Sequence, residues 1–397
     1  MPGSRARPPG PRRWWRLALV APLILFLLAS FIAPVLMMLS RAVIDRDLER
    51  VWPRSAIALR HWNGAGLPPD ALAATVAREI ASARAAGTLN QVANRLNYDL
   101  VGSRSLLYAT ADRLAAGAPG AKVSDLERID ARWGQPEIWA AMRHADGPLT
   151  SHYLLAALDR RLDAGDHVIS VPAEQAVFTN IYLRTFEISL VVALLCAALG
   201  YPVAYLLASL PPRNANLLLI LVLLPFWTSA LVRTAAWAVL LQTNGAVNNA
   251  LQTIGLIDGP LQLIYNRLGV YIAMTHVLLP FFILPLYGVM KGIPPSAMQA
   301  ASSLGARPLR AFFAVYLPQT LPGVLAGTII VFTLALGYYV TPALVGGGAD
   351  QMISASIAFY TNQSLNWGMA AALGLLLLLP LLLMALAGRA MARAVPA

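Results

Sequence analysis

Apolar residues in this chain fall into long unbroken runs rather than the alternating or amphipathic stripes of a soluble domain. Six runs approach the roughly 20 apolar residues that carry a helix across a bilayer: residues 17–39, 188–210, 217–241, 270–290, 321–345 and 369–387. Prolines sit inside them at Pro22, Pro34, Pro202, Pro225, Pro280, Pro285, Pro342 and Pro380. Neighbouring helices can re-satisfy the carbonyls that proline frees, so these segments are expected to kink rather than stop. The first run is longer than the roughly 7–15 residues of a signal-peptide core and is expected to persist as a helix. Trp14 and Trp15 beside Arg12 and Arg13 supply an interfacial anchor at its start.

The polar stretch 41–183 is too long for a structureless connection. From 68 to 162 the apolar residues take helical spacing. Ala71, Leu72, Val76 and Ile80 predict one helix, Leu96, Leu100, Leu106, Leu107 and Leu114 a second, and Leu154, Leu155, Leu158 and Leu162 a third. Breaks are expected at Gly87, at 117–120 and at Asp146-Gly147-Pro148. This predicts a small helical insertion over about 68–162, serving either as a contact surface for a binding protein or as a packing insert. Residues 177–183, VFTNIYL, read as a short extended lead-in to the next apolar run.

Charge adds orientation. Only 12% of residues are charged, about half the fraction of a soluble domain. The net charge of +11 is uneven: residues 41–184 hold 17 Lys/Arg against 16 Asp/Glu, and the rest of the chain 13 against 3. The excess flanks apolar runs, which is a membrane-orientation pattern and not the basic face of a nucleic-acid-binding domain. With the N-terminus inside, the inner segments hold Arg5, Arg7, Arg12, Arg13, Arg16, Arg213, Lys291, Arg307, Arg310, Arg389 and Arg393 and no acid. The short outer loops, about 242–269 and 346–368, hold Arg267 as their one Lys or Arg. The expected layout is a basic cytoplasmic N-terminus (1–16), a first membrane helix (17–40), a periplasmic segment (41–183) and a membrane core (184–391) with a cytoplasmic loop at 292–318. Both termini are cytoplasmic in this scheme.

The candidate chemistry is sparse. A phosphate-binding loop needs Gly-Lys before Ser/Thr, yet the two lysines, Lys122 and Lys291, do not follow glycine. His-Glu-x-x-His is absent. His276 is the one histidine in a span; His61, His144, His152 and His167 are scattered in the outer segment and are expected to be solvated. No metal, cofactor or catalytic residue is expected, and Cys196 reads as a packed thiol. Charges within spans are costly and read as functional. Arg233 and Glu187, with Trp227, Trp237, Tyr338 and Tyr339, are therefore candidates for lining a translocation path. Interfacial placement is the competing reading, with Arg233 snorkelling or pairing with Glu187. No span interior carries Asp or Glu, which weighs against a proton-coupled secondary transporter.

The most specific signal is residues 299–318, QAASSLGARPLRAFFAVYLP. Pro294-Pro295 is expected to end the fourth span, Ser296 to cap a helix over 297–304, Gly305 to break it, and Pro308 to open a second helix over 309–316. Its spacing is Gln-Ala-Ala, three residues, Gly305, nine residues, Val315, one residue, Leu317-Pro318. It resembles the loop Glu-Ala-Ala-x3-Gly-x9-Ile-x-Leu-Pro by which permease subunits of ABC importers engage their ATPase, with Gln299 replacing the glutamate. That exchange keeps a hydrogen-bonding group and loses a charge, which puts a salt bridge at this position in doubt.

The resemblance extends over about 175–390 and the first span. It is carried by GYPVAYLLASLP (200–211), PFWTSALVR (225–233), Ile257-Asp258, LLPFFILPLY (278–287), LPGVLAG (321–327), TPALVGGG (341–348) and Asn366-Trp367-Gly368. Together these resemble the spermidine/putrescine type of ABC permease; the insertion is not part of that pattern. The resemblance implies an all-α membrane protein with six transmembrane helices of the ABC importer permease type, carrying the helical periplasmic insertion between helices 1 and 2. It implies a bacterial inner-membrane location, a second permease subunit in a heterodimer, two ABC ATPase subunits that hydrolyse the ATP, and a periplasmic solute-binding protein. Gln299, Ala300, Ala301, Gly305, Arg307, Arg310, Leu317 and Pro318 would couple to the ATPase. Polyamine is the expected solute. A different solute, an ATP-independent secondary transporter and a membrane-anchored scaffold are the alternatives.

Overall fold

Residues 12–64 and 66–394 are described by a computed structural model; the basic run at 1–11 lies outside them. The chain divides into two units, one of residues 1–175 and 360–376, the other of 176–359 and 377–397.

The second unit is built on three helices, Phe178–Ser209, Arg267–Gly292 and Leu317–Gly337. They approach closely because glycines face an aromatic ring. A Cβ on Gly200 would stand 2.6 Å from Phe282 Cδ1, and one on Gly327 would stand 2.9 Å from Phe282 Cδ2. Small residues that let helix backbones approach are the usual device where lipid removes the hydrophobic drive for association.

Local expectations fail in instructive ways. VFTNIYL is not extended: helix begins at Phe178, and Ile181 N–H already donates to Val177 O at 3.1 Å. Its β-branched and aromatic residues have strand propensity, which the continuing helical ladder overrides. The run at 217–241 is not one helix. Pro212–Leu223 passes through a tight turn at Leu224–Trp227 and stops; Ala230–Leu240 then leaves at 97°. Pro225 lacks the amide a continuous ladder needs, and Thr228 and Ser229 are extended. The helix expected over 309–316 is continuous with the next span: Pro308–Ala311 enters a wide turn at Phe312–Tyr316 and runs on to Gly337. Pro318, which has no amide to donate, follows directly on that wide turn. That helix stops eight residues before the expected end, and Val340–Val345 is a separate short helix.

Among the described residues four helices are long and apolar enough to cross a membrane: Val20–Ser40, Phe178–Ser209, Arg267–Gly292 and Pro308–Gly337. A fifth crossing results if the bent pair counts as one. Trp367–Leu383 is apolar over a shorter length.

In the first unit, helices from Asp47–Val51 to Pro136–His144 enclose a core around Trp52, Trp133 and Trp139. Trp133 Nε1 donates to Thr110 Oγ1 and Trp139 Nε1 to the Trp133 carbonyl, both at 2.9 Å. The helix expected through Leu162 ends at Ala156. Asp159 takes a positive φ, and Arg160–Leu162 pairs antiparallel with Val168–Ser170. The architecture is therefore predominantly, not wholly, helical.

Two of the histidines expected to be solvated are paired instead. His144 Nε2 is 2.9 Å from Asp166, and His152 contacts Asp99. Asp99 also receives Arg95, a guanidinium only 1% exposed that binds Asp45 as well. Burial alone would raise the Asp99 carboxyl, but Arg95 and His152 outweigh it and hold it well below the usual carboxylate range. Tyr153 completes the cluster, its hydroxyl 3.3 Å from Asp45 and its ring under the Arg95 guanidinium. Among the described residues no group of three potential ligands is placed to hold a metal.

Candidate functional site

The segment after Arg267–Gly292 forms its own exposed helix. Pro294 is extended, Pro295 opens Pro295–Ser303, and no residue of that helix is buried. The cap is not Ser296: Pro294 occupies the N-cap position, and no side chain caps the first turn. At the other end Ala306 N–H donates to Ala301 O and Gly305 N–H to Ser302 O, both at 3.0 Å. This is a Schellman closure, which requires a left-handed residue; Gly305 supplies it with φ +81°.

Gln299 and Ala300 are exposed on this helix and Ala301 is half-buried. Arg307 and Arg310 are exposed, and among the described residues neither forms an ion pair. Leu304 stands 89% exposed beside Gly305, and Leu309 and Phe313 are also exposed. Leu317 is half-buried and Pro318 exposed where the span begins.

Sequence reasoning missed the anchor of this segment. Phe312 packs edge-on against Tyr201 and Tyr205, and Tyr316 against Tyr205. Tyr201 Oη lies 3.2 Å from Thr320 Oγ1. The signal was available as two i, i+4 aromatic pairs, Tyr201/Tyr205 and Phe312/Tyr316. Through them the second half of the loop is tied to the end of Phe178–Ser209.

The six residues flagged in or near spans do not form one cluster. Glu187 pairs with Arg267 and not with Arg233: Arg267 Nη1 reaches both carboxylate oxygens, and its Nε reaches Asp350 at 3.1 Å. Arg233 sits on the second arm of the bent pair. One nitrogen reaches the Thr228 carbonyl at 3.4 Å, while its buried Nε and Nη1 have no partner among the described residues. Trp237 lies one turn on and donates to His276 Nδ1 at 3.1 Å. Thr234 and Thr341 join hydroxyls at 3.0 Å and hold Val340–Val345 against Ala230–Leu240. Trp227 at the bend is 89% exposed, and Tyr339 points outward.

An exposed, Schellman-closed helix carrying Gln-Ala-Ala-x3-Gly thus lies between two apolar helices. Residues 189–395 match the family described as binding-protein-dependent transport system inner membrane component. The chain belongs to this family of ABC importer permeases. It is 33% identical over 210 residues to the spermidine/putrescine transport system permease protein PotB of Escherichia coli (strain K12), covering 53% of this chain and 76% of that protein. The Haemophilus influenzae PotB is also 33% identical, over 52% of this chain and 73% of its own. The inner membrane ABC transporter permease protein YdcU of E. coli is 35% identical over 179 residues, covering 42% and 57%. A bacterial alginate ABC transporter, crystallised with an alginate pentasaccharide-bound periplasmic protein, superposes with a TM-score of 0.44 at 18% identity, over 55% of this chain and 78% of that one. The permease is a multi-pass inner-membrane protein and a transport subunit, not an enzyme. The family match begins at 189, so residues 1–188, the first apolar helix among them, lie outside it.

Proposed function

We propose that this permease forms half of the translocation path of a polyamine importer and receives its driving force through residues 296–318. The reading rests on one observation: an exposed helix with a bare Leu304, closed at Gly305, lies between two membrane helices in a chain of the ABC permease family. Gln299, Ala300 and Ala301 give that helix a low-relief face that seats closely in an ATPase groove. Arg307 and Arg310 meet acidic or phosphate groups there. Leu317 and Pro318 transmit the movement into the span.

In the full scheme six helices cross the membrane, both termini are cytoplasmic, and 41–183 with its insertion at about 68–162 is periplasmic. A second permease subunit completes a heterodimer, two ABC ATPase subunits hydrolyse the ATP, and a periplasmic binding protein delivers the solute. Polyamine is favoured by the likeness to PotB. A polycation wants carboxylates and aromatic cages. Glu187 is engaged by Arg267, so selectivity for charge falls to the partner subunits, with Trp227, Trp237, Tyr338 and Tyr339 contributing apolar and aromatic wall.

Arg233 favours a second reading. A half-buried guanidinium with two unpartnered nitrogens suits a solute carrying acceptor or anionic groups.

Ala301→Asp and Gly305→Asp test the coupling. Both are expected to abolish uptake and ATPase co-purification while the chain stays in the membrane; unchanged co-purification would sink the reading. Uptake of labelled spermidine or putrescine by the reconstituted complex tests the solute. Its absence with an intact ATPase complex favours the Arg233 reading. Deleting 68–162 tests the insertion, since undiminished binding-protein docking would remove its contact role.

A further inference from the structure

We propose that Arg41, Arg46 and Arg50 form a binding site for the phosphate group of an anionic lipid, at the point where the first apolar helix leaves the bilayer. Val20–Ser40 spans 21 residues, about 30 Å of helix, which matches the hydrocarbon thickness of a bilayer. Residue 41 therefore stands at headgroup depth, whichever side of the membrane it faces. Met37 and Ser40 lie on the last turn of that helix, Arg41 follows in the turn that ends it, and Ile44 lies just beyond, bridged to Leu149. Arg46 and Arg50, four residues apart at the Asp47–Val51 helix, complete a cavity of about 340 Å³ whose lining is Met37, Ser40, Arg41, Ile44, Arg46 and Arg50.

All three arginines are exposed, and among the described residues none forms an ion pair within 4.0 Å. The neighbouring acids are mostly committed: Asp45 to Arg95 and Tyr153, and Glu49 to Arg60. Asp47 is the carboxylate left beside Arg41 and Arg50, and it leaves the patch net positive. Guanidinium forks suit phosphate oxygens.

The apolar wall selects lipid over a soluble phosphate or an acidic protein face. Met37 is 63% exposed, and no residue of Ala33–Ser40 is buried. An acyl chain lying along Leu36 and Met37 thus carries its headgroup directly into the basic cavity. The proposal goes beyond the transport reading and does not depend on the solute.

The test uses the full complex in phosphatidylcholine nanodiscs containing a minor fraction of phosphatidylglycerol, with retained lipid counted by native mass spectrometry. The wild type is expected to enrich phosphatidylglycerol. R41Q/R46Q/R50Q is expected to lose about fivefold in that preference per arginine, the equivalent of about 1 kcal/mol each, while R41K/R46K/R50K keeps most of it. Single R46Q and R50Q variants, each expected to lose about fivefold, give the answer if the triple variant misfolds. An unchanged lipid complement in the glutamine variants overturns the proposal. Release of the lipid by excess inorganic phosphate overturns the lipid assignment in favour of a soluble anion. Loss of binding-protein association with lipid retention overturns it in favour of an acidic protein surface.

Discussion

Arg267 holds Glu187 through a single nitrogen, Nη1 lying 2.9 and 3.0 Å from the two carboxylate oxygens. That leaves Nε free for Asp350, and one guanidinium ties three segments distant in sequence. The two acids differ in setting, Glu187 being half exposed and Asp350 9% exposed. Glu187→Ala is expected to cost at most about 1 kcal/mol, as for exposed ion pairs. Arg267→Met strands the buried Asp350 and is expected to cost about 1–3 kcal/mol. Thermal unfolding in detergent orders the two; an equal or reversed order would show that Asp350 does not depend on Arg267.

Phe282 between Gly200 and Gly327 leaves no room for a side chain on either neighbour. Gly200→Val and Gly327→Val are each expected to destabilise by about 1–3 kcal/mol through overpacking. Gly288→Ala, where an added Cβ meets nothing within 4 Å, is expected to be neutral or slightly stabilising. Melting temperatures of the three variants decide the point.

Gly305 has open space around its missing Cβ, so its demand is conformational and not steric. Gly305→Ala is expected to cost about 1–2 kcal/mol for the left-handed backbone, while Gly305→Asn costs less. The loss is local: hydrogen exchange should accelerate at the Gly305 and Ala306 amides that close the helix, with the spans unaffected.

The buried Arg95 cluster gives the first unit an acid limit. The Asp99 carboxyl is depressed in the folded state, so its contribution is present above the ordinary aspartate value near 3.9 and is lost as pH falls below it. Asp99→Asn leaves Arg95 with one carboxylate and is expected to cost about 3 kcal/mol at neutral pH. It should also flatten the loss of stability below about pH 4. A melting profile from neutral to acid pH that is parallel in the two proteins would contradict this role.

Legibility in the sequence followed the physics of each signal. Apolar runs are read by composition, so the membrane segments were visible. Their interruptions depend on tertiary compensation: Pro225 breaks a helix, whereas Pro280 and Pro285 lie inside an unbroken one. Gly305 was legible because a left-handed helix end strongly favours glycine. Glu187 was not, because its partner lies 80 residues away and its choice between Arg233 and Arg267 is purely spatial. The hairpin at 160–170 was hidden for a similar reason: Leu154, Leu155, Leu158 and Leu162 keep helical spacing across the turn at Asp159.

The 97° bend at Thr228 and Ser229 carries a consequence for biogenesis. The first amides of Ala230–Leu240 have no side-chain cap, and hydrocarbon offers them no acceptor. An irregular backbone at that depth tolerates water or protein against it, never acyl chains alone. A copy of this chain inserted by itself therefore presents the bilayer with an open seam. Its lifetime in the cell should depend on how quickly water or protein covers that seam.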